Sequence, residues 1–177
     1  MIQVKVKADK SPLGALRNLP KSVRMAVLNA HRYAVAELKK LAVSETVSKY
    51  YLTKGQISKA TKSLPTGFKV SSERLTLEKY KLMPKAAKKK GYVLRGAVRR
   101  DSGIKPLGRN AFLLQTSGGY KPVARLTKKR YPLKVITGPS IAQAVGNDDT
   151  GELLQSRAEE LFAQRLNEYL ERIGAVK

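Results

Sequence analysis

Apolar positions along this chain recur with two different periods, and the changes of period divide it into elements. Ile2, Val4, Val6 and Ala8 alternate with Gln3, Lys5 and Lys7, the two-residue repeat of a half-buried strand. The polar turn Asp9-Lys-Ser-Pro12 ends it. After Pro20, the positions Val23, Ala26, Val27, Ala30, Ala34, Leu38 and Leu41 recur at helical spacing, which predicts an amphipathic helix over about residues 21–46 with an alanine-rich buried stripe. Thr53-Lys-Gly-Gln56 has the spacing of a capping box and predicts a short helix over about residues 54–62. From Gly67 the pattern returns to short alternating runs, carried by Phe68 and Val70, Leu75 and Leu77, Tyr92, Leu94 and Val98, and Phe112 and Leu114. These read as strands of a largely antiparallel sheet.

Between Tyr131 and Val145 the chain turns from strand to helix. Leu133, Val135 and Ile136 end a strand, Gly138 permits an unusual backbone angle, Pro139 presets the first helical position, and Ser140 helps cap the helix; with Pro132 these residues form a structural corner. Asn147-Asp148-Asp149-Thr150 then offers helix caps, with Asp149 and Glu152 as a second box-like pair. Leu154, Ala158, Leu161, Phe162, Leu166, Tyr169, Leu170 and Ile173 make the apolar stripe of a long last helix, and Gly174 stops it. The expected fold class is α+β, a largely antiparallel sheet with two long helices packed on one face and basic loops projecting from it. One domain spanning residues 1–177 is expected, with a basic body (1–147) and a carboxy-terminal helix (148–177).

Charge changes the picture most. The chain has 36 Lys and Arg against 13 Asp and Glu, a net +23, and the excess is uneven. Residues 1–147 carry 32 basic and 6 acidic side chains, whereas residues 148–177 carry 4 and 7. A body this basic attracts polyanions, so nucleic acid or an acidic protein surface is the expected neighbour. Candidate contacts are Lys88, Lys89 and Lys90, which cannot all bury their ammonium groups, then Arg99, Arg100 and Arg109, and finally Lys128, Lys129 and Arg130 beside the corner. Lys54, Lys59 and Lys62 on the short helix are either a phosphate-facing patch or a solvated face.

Catalytic chemistry finds little to work with. There is no cysteine, His31 is the single histidine, and the acids of residues 1–147 are scattered as Asp9, Glu37, Glu45, Glu73, Glu78 and Asp101. No Gly-Lys-Ser or Gly-Lys-Thr occurs, so a phosphate-cradling loop has no support. A non-enzyme without catalytic residue, cofactor or metal is expected. No apolar run approaches the roughly 20 residues that span a bilayer, and residues 1–10 alternate rather than form an export signal, so the chain is expected to be soluble with no membrane partner.

Several of these segments, taken in order, resemble a known family. Ala111-Phe112-Leu-Leu-Gln-Thr-Ser-Gly118-Gly119-Tyr120, then Arg125, Arg130-Tyr131-Pro132-Leu133 and Gly138-Pro139-Ser140-Ile141 are similar to the minor tail protein Z family of tailed bacteriophages and prophages. Upstream, Tyr51-Leu-Thr-Lys-Gly-Gln-Ile57-Ser-Lys59-Ala60 and Leu75-Thr-Leu-Glu-Lys-Tyr-Lys-Leu82-Met-Pro84 fall where that family has a tyrosine-led short helix and a strand leading to a proline. The sequence departs from the family at Lys121-Pro122-Val123-Ala124-Arg125, where a glycine followed by an aromatic residue and arginine is usual. The resemblance implies a structural virion protein of the neck or tail top, made in the host bacterial cytoplasm and acting in tail completion and head-to-tail joining. It also implies a homo-oligomeric ring, expected to be six-fold, with other neck, tail terminator and tail tube proteins as partners and genomic DNA in the channel as a further neighbour. The alternative that the charge alone supports is a free basic nucleic-acid-binding protein of the ribosomal-protein kind.

Overall fold

The computed structural model describes residues 2–5, 20–64, 67–87 and 91–174. In chain order the elements are β1 (Ile2–Lys5), α1 (Lys21–Lys49), α2 (Lys54–Ala60), β2 (Thr61–Leu64), β3 (Gly67–Val70), β4 (Arg74–Thr76), a 3-10 turn (Leu77–Lys79), β5 (Lys81–Met83), β6 (Arg95–Ala97), β7 (Lys105–Pro106), β8 (Ala111–Thr116), β9 (Gly119–Arg125), β10 (Leu133–Val135), β11 (Thr137–Ser140), α3 (Ile141–Val145) and α4 (Asp148–Arg172). The fold is α+β, and every strand pairing is antiparallel.

The two long helices form one layer. Ala26, Ala30, Ala34, Leu38 and Ala42 recur every fourth residue on the buried side of α1, and Leu154 and Ala158 are buried on α4. The helices run antiparallel: Lys49 Nζ reaches Thr150 Oγ1 (3.2 Å) at one end, while the Arg165 guanidinium lies 4.5 Å from the centre of the Tyr33 ring further along. Alanine at the contact lets the two backbones approach closely. One hydrophobic core joins this layer to the rest through Leu38, Ile57, Phe68, Leu77, Leu94, Ile141 and Leu154.

The strands divide among four small sheets, ordered β1-β3-β2, β5-β6-β7, β11-β4 and β10-β9-β8, rather than lying in one. Proline lacks the N–H that a ladder needs: Pro106 closes the two-residue β7 and Pro139 lies in the irregular stretch of the β11–β4 register, whereas the β8–β9 ladder runs past Pro122 over six residue pairs. Tyr92 and Leu94 precede β6 instead of forming a strand, although Leu94 is fully buried and its carbonyl accepts from Leu107 N–H (2.9 Å). In β8 the buried residues are Ala111 and Leu113, while Phe112 is half-buried and Leu114 exposed. Both faces of this hairpin are covered at its base, where Pro122 and Val123 are adjacent and both buried. Simple alternation therefore cannot select its inner face.

The corner also differs from its sequence reading. The backbone of Gly138 is not left-handed. Its need is for space, because a Cβ there would stand 2.7 Å from Cε2 of Tyr80. Pro139 belongs to β11, and the helix begins after Ser140, which serves as its cap. Ser140 Oγ accepts from Gln143 N–H (3.1 Å) and Gln143 Oε1 accepts from Ser140 N–H (2.9 Å), a complete capping box. Since α3 intervenes, Pro132, Gly138 and Pro139 do not directly set the angle at which the last helix departs. Asp149 and Glu152 form no box either: Asn147 precedes α4 without a side-chain cap, and its carbonyl accepts from Thr150 and Gly151 N–H (2.9 and 2.8 Å). Asp148 and Asp149 stay in the first turn, at the positive end of the helix dipole.

Candidate functional site

The basic residues singled out by sequence occupy separate places. Lys88, Lys89 and Lys90 lie outside the described residues. Arg99 and Arg100 meet the carboxy-terminal end of α1, where an isolated bridge pairs Arg99 with Tyr50. Arg100 donates from its backbone N–H to Lys49 O (2.9 Å) and from Nε to Val47 O (2.9 Å) and Tyr50 O (3.2 Å). A helix leaves its last carbonyls without intrahelical donors, so this guanidinium completes the end of α1 from fifty residues away in sequence. Its carbon also lies 4.8 Å from the centre of the Tyr51 ring, within cation–π range. Arg99 is held by Asp101 (2.8 Å). No local sequence signal marks either role, because the partners are brought together only by the fold.

Arg109 is exposed in the turn before β8, after Gly108, whose φ of +102° is left-handed. With Tyr92, Val93, Pro106 and Gly108 it lines a cleft of about 270 Å³. The Tyr92 hydroxyl is fixed there by accepting from Leu113 N–H (2.9 Å).

Lys128, Lys129 and Arg130 are all exposed in the loop joining β9 to β10. Leu126 and Tyr131 flank them and hold large apolar surfaces in water, at 59 % and 63 % exposure. The loop closes through Leu126 N–H to Pro132 O (3.5 Å) and Lys129 N–H to Thr127 Oγ1 (3.2 Å), and Arg130 lies over the Tyr131 ring at 5.8 Å. Among the described residues no carboxylate pairs with Arg109, Lys128, Lys129 or Arg130.

No family model, curated protein or solved structure matches this chain. Its chemistry is therefore read from its own side chains.

The acids of α4 are partly used within the helix. Glu160 pairs with Arg157 (2.6 Å) and Glu168 with Arg165, while Glu152, Glu159 and Glu171 have no ion pair among the described residues. His31 sits half-buried in a groove of about 450 Å³ with Leu28, Arg32, Val35, Ala36, Ser63 and Leu64. Burial lowers its pKa below the usual 6.5. Among the described residues no three of His, Asp and Glu converge in a way that holds a metal ion, and no helix is long and apolar enough to cross a membrane.

Proposed function

We propose that this protein is a non-enzymatic assembly subunit that works through charged surface loops, as a ring-forming component of a phage neck or tail top. The observation that carries the reading is the loop from Leu126 to Tyr131. Tyr131 is the most exposed large apolar side chain among the described residues, and with Leu126 it flanks three cations that have no carboxylate partner there. Aromatic and apolar anchors beside positive charge are the composition of a protein or polyanion contact. The resemblance in the segments around Phe112, Tyr131 and Gly138 supplies the setting, tail completion and head-to-tail joining, with an acidic neighbouring ring or the genomic DNA as the partner of the loop.

The basic body and the acidic last helix support the same reading, since Glu152, Glu159 and Glu171 of one subunit are available to cations of the next. The test is the triple charge reversal K128E/K129E/R130E. Tails assembled with this variant are expected to fail in joining to heads while the monomer keeps its circular dichroism and melting temperature. Normal joining would reduce the loop to a solubilising device.

A further inference from the structure

The two halves of α4 set different chemistry along one face. Glu152, Gln155, Glu159, Phe162, Leu166 and Ile173 follow one another at steps of three, four or seven residues, the spacing that keeps side chains on one side of a helix. None of the six is buried, whereas Leu154 and Ala158 are, so the stripe runs beside the packed side of the helix. Glu152, Gln155 and Glu159 are exposed, and neither glutamate has an ion pair among the described residues. From one turn further on, Phe162 and Leu166 are only half-buried and Ile173 is 41 % exposed.

This order of acids and then apolar groups restricts what covers the stripe. The same stripe of a second copy does not fit it. Laid parallel, glutamates meet glutamates; laid antiparallel, they meet Phe162 and Leu166, and a carboxylate covered by apolar groups without a cation is costly. Nucleic acid and anionic membranes are repelled by the same glutamates. A fitting partner carries cations beside large apolar groups, and among the described residues the Leu126–Tyr131 loop does so, with Lys128, Lys129 and Arg130 between side chains that are 59 % and 63 % exposed. Glu159 and Leu166 stand seven residues apart, about 10 Å of helix, so one loop meets both kinds of group. Within one copy no ion pair joins the loop to α4.

We propose that the Leu126–Tyr131 loop of one copy docks on the Glu152–Ile173 stripe of the next. Lys128, Lys129 and Arg130 face Glu152 and Glu159, and the side chains of Leu126 and Tyr131 cover Phe162 and Leu166. The two surfaces differ, so the contact is heterologous, and its repetition closes a ring or runs on as a filament. The proposal rests on the ring-forming reading and narrows the partner of the loop from an acidic neighbour in general to the next copy of this chain.

The chain has no cysteine, so introduced thiols report the contact without interference. Full-length L126C and L166C chains are oxidised separately and as a mixture; disulfide-linked dimers are expected in the mixture alone. In sedimentation, K128E/K129E/R130E and E152K/E159K are each expected to weaken self-association roughly tenfold or more, and all five reversals in one chain to restore it. Circular dichroism checks each fold, and E152Q/E159Q replaces the lysine pair if that chain does not fold. An unaltered chain that stays monomeric at its highest soluble concentration overturns the proposal, as does a mixture without the cross-link or a folded five-fold variant that does not associate. Dimers of L126C alone or L166C alone overturn it too, by assigning that face to a two-fold contact. A ring of this chain in purified necks with no L126C–L166C link refutes the contact and leaves the ring reading standing. The link in a chain absent from neck and tail top does the reverse.

Discussion

Tyr80 shows how a single side chain holds the corner that the sequence pattern makes conspicuous. Its ring fills the space that Gly138 leaves open, and its hydroxyl donates to Pro139 O (2.6 Å). Burial, with a smaller contribution from Tyr50, pushes its pKa from 10 up to about 12. An unfolded tyrosine ionises near 10, so the stability owed to Tyr80 is complete below that pH and is lost as pH rises toward about 12. Tyr80→Phe is expected to lower the melting temperature at neutral pH by removing the donor to Pro139, and to flatten the alkaline fall in melting temperature between pH 10 and 12. Parallel curves for the two proteins across that window would show that Tyr80 does not carry the effect. Gly138 is legible as special but for the wrong reason: its sequence neighbours point to backbone freedom, whereas the constraint is a ring fifty-eight positions upstream. Steric exclusion by a distant residue leaves no mark in the local pattern.

Among the elements, legibility tracks the strength of local signals. The α1 stripe, the Thr53–Gln56 box and the Ser140 cap are readable because a helix repeat and a capping hydroxyl act within a few residues. Thr53 Oγ1 accepts from Gln56 N–H (3.3 Å) while Gln56 Oε1 accepts from Thr53 N–H (2.8 Å). The sheets are less legible, since three-residue strands such as β4, β5 and β6 give too little alternation to fix a register or a face. The end of α1 is not legible at all. There Arg100, which composition groups with Arg99 as a cationic contact, supplies the donors for Val47 and Tyr50 carbonyls. Arg100→Ala is expected to destabilise the fold by roughly 1–2 kcal/mol, the worth of charged hydrogen bonds to backbone plus stacking on Tyr51, measured by urea unfolding. A loss below a few tenths of a kcal/mol would place Arg100 on a solvated surface instead. Arg165 is held comparably between Tyr33 and Tyr169 (4.5 and 5.1 Å to the ring centres), which fastens the outer half of the helix pair.

At the scale of the whole molecule, the charge of +23 resolves into surfaces with different work. Some cations are structural, as at the end of α1. Others stand unpaired in the Leu126–Tyr131 loop. The loop is readable as a run of basic residues, but the exposed Leu126 and Tyr131 that give it the character of a contact require the fold. The α4 stripe is readable as a helix repeat, but that Phe162 and Leu166 stay only half-buried beside exposed glutamates requires the fold as well. The most direct measurement is an electron microscopy reconstruction of purified tails and necks at a resolution that traces this chain. The expected result is a closed ring of copies at the tail top or neck, with the Leu126–Tyr131 loop against a neighbouring protein or the DNA channel. Reconstructions in which this chain occupies neither the tail top nor the neck would contradict the proposal.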